Sequence, residues 1–336
     1  MNTHELQRAL MNRAVYPDRP EDVGFAETHI SLLFFTGKHV YKIKKPVDFG
    51  FLDFTTLKKR KHFCNLEIML NRRLSTGIYL DVVAIRQKDG KIVLDNPGRT
   101  IEYAVKMNQI PEDRLMDRLL DQGRVTADMV KEVATILADF YGRAATSKKI
   151  KGYARPERLR QDTDENFEQT EGYIGSTISR ELFDAIRRAT NSFMNRNRAV
   201  FLKRIKDDRI RDCHGDLRLE HIFFGDKISI LDCIEFSERL RYTDVSADIG
   251  FLAMDLDFHG RADLGDHLIR RYAERSGDQG IYHVLDFYKC YRAYVRGKVE
   301  SFRLDDVNIP DDEKEKARAR ATKYFDLAHQ YATRLS

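Results

Sequence analysis

No run of apolar residues in this 336-residue chain approaches the ~18 that a membrane-spanning helix needs. The amino terminus, MNTHELQRALMNRAVYPDRPED, lacks the apolar stretch of a signal peptide. Cysteine is scarce. Cys64, Cys213, Cys233 and Cys290 form no C-x-x-C pair, and without a secretory signal they read as reduced thiols in a cytoplasm. Internal repeats and low-complexity segments are absent. Nor does one sign of charge dominate: 58 basic against 53 acidic residues leave a formal +5. That excess is too small for a dedicated nucleic-acid binder, yet it suits an anionic small substrate. What remains is an ordinary globular composition, 42% hydrophobic and 33% charged, long enough for one large domain or two lobes with their own cores.

The chain divides into two regimes. From Thr28 to Met107 it is strand-rich. Ile30–Phe35 and Lys38–Ile43 flank Thr36-Gly37, and Val82–Ile85 and Lys91–Leu94 flank Asp89-Gly90, which predicts two hairpins, the second on the stronger turn signal. Ile101–Met107 reads as a further strand, and Thr56–Leu74 as a helix with Phe63, Leu66, Leu70 and Leu74 as its apolar stripe. After Pro111 the pattern turns helical. Val130, Val133, Leu137, Phe140, Tyr141 and Ala144 form one face behind a Thr126 N-cap, and Ala321, Tyr324, Phe325, Ala328, Tyr331 and Leu335 form the last. The helical part is interrupted by one hairpin, His221–Phe224 and Ile228–Leu231, around Gly225-Asp226-Lys227.

Some charged residues stand out against this pattern. Glu67 lies four residues after Phe63 and three before Leu70, so it shares their face. A carboxylate there needs a partner, unless the stripe is offset and Glu67 lies at its solvated rim. The candidate partner is Lys42 in the strand Val40-Tyr41-Lys42; Lys44, on the same side of that strand, is the rival. A strand lysine clamped by a helix glutamate is how kinases hold nucleotide phosphates. A second cluster is His214-Gly215-Asp216, followed by His221, the hairpin and Asp232. A turn centred on Asp226-Lys227 sets His221 opposite Asp232, and a slip of one or two residues leaves them neighbours. Phosphoryl transfer needs such groups: one carboxylate to accept the hydroxyl proton, another to hold the metal on the phosphates. The alternative is that His214 and Asp216 only cap a loop.

The segment His214-Gly215-Asp216-Leu217-Arg218-Leu219-Glu220-His221 with Ile230-Leu231-Asp232 resembles the aminoglycoside-phosphotransferase and choline-kinase superfamily, a branch of the protein-kinase-like fold. The longer strings CHGDLRLEHIFF, LDCIEFSERLRYTDVSADIGFLAMDLDFHG and VYKIKKPVDFGFLDFTTLKKRKHFCNLEIMLNRRL are similar to an uncharacterised bacterial subgroup, some of whose members carry a fused P-loop kinase. This chain contains no G-x-x-x-x-G-K-[ST]. The resemblance, over roughly residues 25–305, implies an α+β, two-lobed protein-kinase-like fold. An N-terminal helical extension (1–24) would precede a small antiparallel β-rich N-lobe with one helix (25–110), followed by a larger, mainly helical C-lobe (111–336).

The resemblance also implies roles. Asp216 becomes the catalytic carboxylate, with His214 beside it and Arg218 placed to steady the transferring phosphate. Asp232 becomes the main magnesium ligand. Lys42 and Glu67 match the phosphate-binding lysine and its partner, with Lys44 still open as the alternative. Met107 falls near the hinge that receives adenine, and Asp248 is expected to brace the catalytic loop. One residue departs from the pattern: the metal-binding Asn of the family is His221 here, a ligand better suited to manganese or a similar ion than to magnesium. The implied activity is ATP-dependent phosphorylation of a hydroxyl on a small, sugar-like or amino-sugar-like molecule, with ATP and Mg2+ (or Mn2+) as cofactors and no nucleic-acid or membrane partner. A metal-dependent hydrolase built on His214, Asp216, His221 and Asp232, and a nucleotide-binding pseudokinase, are the alternatives. Lys289, Arg292 and Arg296 read as a solvated basic face, and Asp255 and Asp257 as surface or capping residues.

Overall fold

A computed structural model describes residues 3–50, 52–307 and 309–335. The chain forms two compact units, residues 1–123 with 220–238, and residues 124–219 with 239–336. Among the described residues no helix is long and apolar enough to cross a membrane.

The first unit is built on a six-stranded antiparallel sheet: β1 (Gly24–Glu27), β2 (Ser31–Phe35), β3 (His39–Lys44), β4 (Tyr79–Lys88), β5 (Lys91–Leu94) and β6 (Arg99–Asn108), in the order β1-β2-β3-β6-β4-β5. The edge strand β1 lies ahead of the predicted strand-rich region and pairs with β2. Asp89 and Gly90 have φ values of 49° and 78°, so β4 and β5 join through a two-residue turn of the twist-compatible kind. Alternation along β3 decides the layers. Tyr41 and Ile43 face a core with Leu6 and Leu10 of α1 (Thr3–Leu10), Leu32, Phe34 and Ile85. Lys42 and Lys44 face the opposite way, toward α2 (Leu57–Asn71), which Thr56 caps by accepting the Lys59 N–H.

The buried side of α2 is the expected stripe only in part. Leu70 and Leu74 are buried as expected, but Arg60, Cys64, Glu67, Ile68 and Asn71 are also inside, while Phe63 and Leu66 are only half-buried. The face is rotated because polar side chains with partners are drawn in: Arg60 pairs with Glu102 at 2.8 Å, and Glu67 with the strand lysines. The hairpin Ile222–Phe224/Ile228–Ile230 belongs to this unit, and Phe223 and Leu231 join Cys64, Ile68 and Val105 in its second core.

The second unit is helical. One of its cores gathers Phe183, Phe251, Met254, Tyr294, Phe325 and Tyr331. The helix Val245–Phe258 is buried along nearly its whole length, including Asp248 and Asp255. A short antiparallel pair, Ile210–Asp212 with Tyr242–Asp244, leads into Cys213 and His214. The helix Leu285–Phe302 overturns one expectation: Lys289 and Arg292 are buried, not solvated. The buried helix 245–258 supplies their counter-charges: Lys289 pairs with Asp257 at 2.5 Å and lies over the Tyr331 ring, and Arg292 stands 3.6 Å from Asp248 over the Phe251 ring. Arg296 stays closer to the surface and pairs with Glu300. Asp255 and Asp257 are likewise interior groups rather than surface or capping residues.

Candidate active site

In the first unit the candidate residues form one chain of alternating charge. Lys42 Nζ lies 2.7 Å from Asp232 Oδ1 and 2.9 Å from Glu67 Oε1. Lys44 Nζ lies 2.6 Å from the other Glu67 oxygen and also pairs with Glu235. Exposure separates the two lysines: 14% of the Lys42 side chain reaches solvent but only 1% of Lys44, whose ammonium pairs with two carboxylates and lies over the Phe54 ring. Burial would push the Glu67 carboxyl up, but the Lys42 and Lys44 ammoniums together outweigh it and hold Glu67 below the usual carboxylate range. Burial likewise opposes the charge on Lys42, yet Asp232, Glu67 and Glu235 raise its pKa well above that of a free lysine. Glu235 goes the other way: burial dominates and pushes it up.

Asp232 is the exposed end of this chain, with 49% of its side chain open to solvent. Its φ of 59° is one that non-glycine residues rarely adopt, so the backbone turns out of the hairpin strand at this residue. The turn is anchored: Asp232 N–H donates to the Tyr79 hydroxyl at 3.1 Å, and the next N–H, of Cys233, donates to Asn71 Oδ1 at 2.9 Å. Strain held at an exposed carboxylate by surrounding hydrogen bonds is a recurrent mark of functional positions.

The hairpin register is shifted by one from the expected pairing. Ile222 faces Ile230 and Phe224 faces Ile228, so Leu231 stands opposite His221 and donates to its carbonyl at 2.9 Å. A three-residue loop, Gly225-Asp226-Lys227, makes the difference. Glycine spares its start a clash, because a Cβ on Gly225 would lie 2.6 Å from the Phe223 ring and the ring would have to shift. His221 and Asp232 remain neighbours, with Nε2 3.9 Å from Oδ2, and Glu220 Oε1 stands 3.6 Å from the same nitrogen. Met107, near the end of β6, pairs with Val40 and Tyr79 across the sheet.

The second unit holds the other candidates. Asp248, fully buried, accepts the His214 N–H at 2.7 Å, the Gly215 N–H at 3.1 Å and the Tyr141 hydroxyl at 2.8 Å. Gly215 has φ 91°, which glycine adopts without cost and which lets consecutive N–H groups converge on one carboxylate. His214 is itself buried, and its Nδ1 accepts the Asp216 N–H at 3.3 Å. Asp216 is 29% exposed and faces Arg218, whose Nε and a terminal nitrogen lie 3.2 and 3.3 Å from its two oxygens. Asp255, pushed up by burial, accepts the Leu219 N–H at 2.9 Å and fixes the far side of the loop.

Four supporting residues escaped the sequence reading: Glu235, Tyr79, Asn71 and Tyr141. Asn71 was within reach, since it lies four residues after Glu67 on the same helix face and donates to the Glu67 carbonyl. Glu235 and the two tyrosines carry no local pattern that separates them from other acids and aromatics.

No known protein-family model matches this chain. Uncharacterised proteins of Mycobacterium tuberculosis and Mycobacterium bovis are 32% identical to it over 306 residues. The match covers 91% of this chain but 59% of the length of those curated relatives. Among solved structures, a choline/ethanolamine kinase family protein from Mesorhizobium loti aligns over 99% of both chains with a TM-score of 0.53 at 13% identity. The chain therefore has the protein-kinase-like fold, the one to which the His214–Asp232 resemblance to the choline-kinase and aminoglycoside-phosphotransferase superfamily pointed.

Proposed function

We propose that this chain is an ATP-dependent phosphotransferase acting on a hydroxyl of a small, sugar-like or amino-sugar-like molecule. The observation that carries this reading is the run Asp232–Lys42–Glu67, in which a strand lysine is held by a buried helix carboxylate and by a half-exposed aspartate on a strained backbone. Glu67 keeps Lys42 charged and pointed, and Lys42 neutralises phosphate oxygens of the nucleotide. Lys44, enclosed by two carboxylates, fixes Glu67 in place and does not contact the nucleotide.

Magnesium, when bound, supplies charge neutralisation on the phosphates. Asp232 is the residue to hold it, with His221 as the neighbouring donor. One carboxylate and an imidazole make a sparse donor set. It suits an ion that takes most of its ligands from phosphate oxygens and water, as magnesium commonly does. The hydrolase alternative requires a cage of side-chain ligands. Among the described residues no group of three or more His, Cys, Asp or Glu is placed to hold an ion, and His214 is turned to the Asp216 amide.

In the reaction, the acceptor hydroxyl oxygen forms a bond to the γ-phosphorus as the bond to the bridging β–γ oxygen breaks. The hydroxyl proton passes to Asp216, and ADP leaves with the electron pair of the broken bond. Arg218 steadies Asp216 in the ground state and the transferring phosphate as charge builds. Met107 lines the adenine end. A screen of small hydroxylated metabolites for ATP consumption, run with magnesium and with manganese, tests the proposal. Acceptor-dependent ADP release is expected. Absence of turnover with every acceptor, together with no ATP-dependent thermal shift, would refute it.

A further inference from the structure

Away from these groups, the second unit contains a cavity of about 410 Å3 whose wall carries Arg143, Arg209, Arg211 and Arg275. Two carboxylates also border it, Asp139 and Asp208, and both are already neutralised. Asp139 lies 2.8 Å from Arg275, and Asp208 lies 2.5 Å from Lys151. Two of the remaining arginines, Arg143 and Arg211, are not compensated in the same way. Arg143 makes no ion pair among the described residues. Arg211 is held by two backbone carbonyls, of Ala144 and Asp208, each at 2.8 Å, so its fork is fixed; its charge makes no close ion pair among the described residues, and the carboxylate it acts on, Asp208, is already held by Lys151. Arg209 lies 3.6 Å from Asp278, which shares Arg204 with Asp244, so these two arginines and two carboxylates balance and the surplus rests on Arg143 and Arg211.

Guanidinium groups around one concavity repel each other and focus positive potential into it. Their planar forks match the oxygens of a phosphate in pairs. Surplus charge from more than one arginine calls for a ligand with close to two negative charges on one group, which a phosphate monoester carries at neutral pH. Tyr141 and Tyr272, edge to face with centroids 6.2 Å apart, supply an apolar wall for a carbon skeleton. Tyr141 is also the residue whose hydroxyl donates to Asp248, the carboxylate that holds the His214 and Gly215 amides.

We propose that this cavity binds a phosphorylated small molecule, at a site distinct from the Asp216 loop and joined to it through Tyr141 and Asp248. The test uses inorganic pyrophosphate as the probe, titrated calorimetrically into the full chain without divalent metal and at constant ionic strength. Its readout is binding, so the outcome does not depend on whether the chain turns over ATP. Saturable binding is expected in the wild type, weakened about tenfold or more in Arg143→Glu. Arg143→Ala, which removes the charge without reversing it, weakens binding in the same direction, and Lys42→Ala retains it. Arg143 is exposed at the end of its helix, and an unchanged melting temperature of the free variant confirms that it folds. The proposal is overturned if the wild type shows no saturable binding. It is equally overturned if Lys42→Ala abolishes binding while both Arg143 variants keep it, since pyrophosphate then occupies the groups assigned to the nucleotide.

Discussion

Lys44 Nζ stands 2.6 Å from Glu67 Oε2 at a depth where neither side chain meets solvent. Lys42, two residues earlier on the same strand face, takes the other oxygen of Glu67 but keeps an exposed edge. Two lysines that look equivalent in the sequence thus differ in the structure: one is enclosed by two carboxylates, the other keeps an edge open to solvent. Removing the buried cation leaves Glu235 without its ion-pair partner and Glu67 with Lys42 alone, so Lys44→Met is expected to cost about 3–5 kcal/mol of stability. Lys42→Met is expected to cost less stability but to weaken binding of a non-hydrolysable ATP analogue. Denaturant titration and analogue binding on both variants check the assignment. A reversed pattern makes Lys44 the nucleotide lysine.

Asp216→Asn keeps the shape of the side chain beside Arg218 but removes the carboxylate proposed to take the hydroxyl proton. Turnover is expected to fall by a factor of about 10²–10⁴, with analogue binding and melting temperature close to the wild type. Single-turnover assays on the variant separate the loss of proton transfer from a loss of binding.

His221 stands where the superfamily pattern has Asn, 3.9 Å from Asp232. His221→Asn replaces an imidazole nitrogen by an amide oxygen, a donor that magnesium prefers. The ratio of magnesium-supported to manganese-supported ATP turnover is expected to rise in this variant. An unchanged ratio means that His221 does not touch the metal.

Lys298 is half-buried, and its Nζ donates to the neutral oxygens of Asn166 and Gln169 at 2.6 and 2.7 Å. Burial pushes its ammonium down to about 8. The folded pKa lies below the unfolded one, so its contribution to stability is complete above the ordinary lysine value and is lost as pH falls through about 8. The melting temperature of the wild type relative to Lys298→Met is therefore expected to rise between pH 8 and about 10.4. A pH-independent difference contradicts the depressed pKa.

Much of the first unit was legible because strand periodicity and turn chemistry act locally. Lys42 and Lys44 share a face by the period of two, and Asp89-Gly90 accepts the positive φ values its turn requires. The His221–Asp232 hairpin was legible as an element but not in register. Its three-residue loop depends on Gly225 meeting the Phe223 ring, a contact that spacing alone does not reveal.

The buried charges were the least legible. The helix Leu285–Phe302 reads as amphipathic with a basic face toward water, yet Lys289 and Arg292 are inside because Asp257 and Asp248 arrive on another helix. Lys44 is buried because Glu235 arrives from the segment after the hairpin. By itself the sequence determined the elements, their alternation and the nearness of His221 to Asp232, since these follow from backbone geometry over a few residues. Only the tertiary structure decided which charged groups leave water. That depends on whether a partner of opposite charge is brought within about 3 Å to offset desolvation, and such partners lie far apart along the chain.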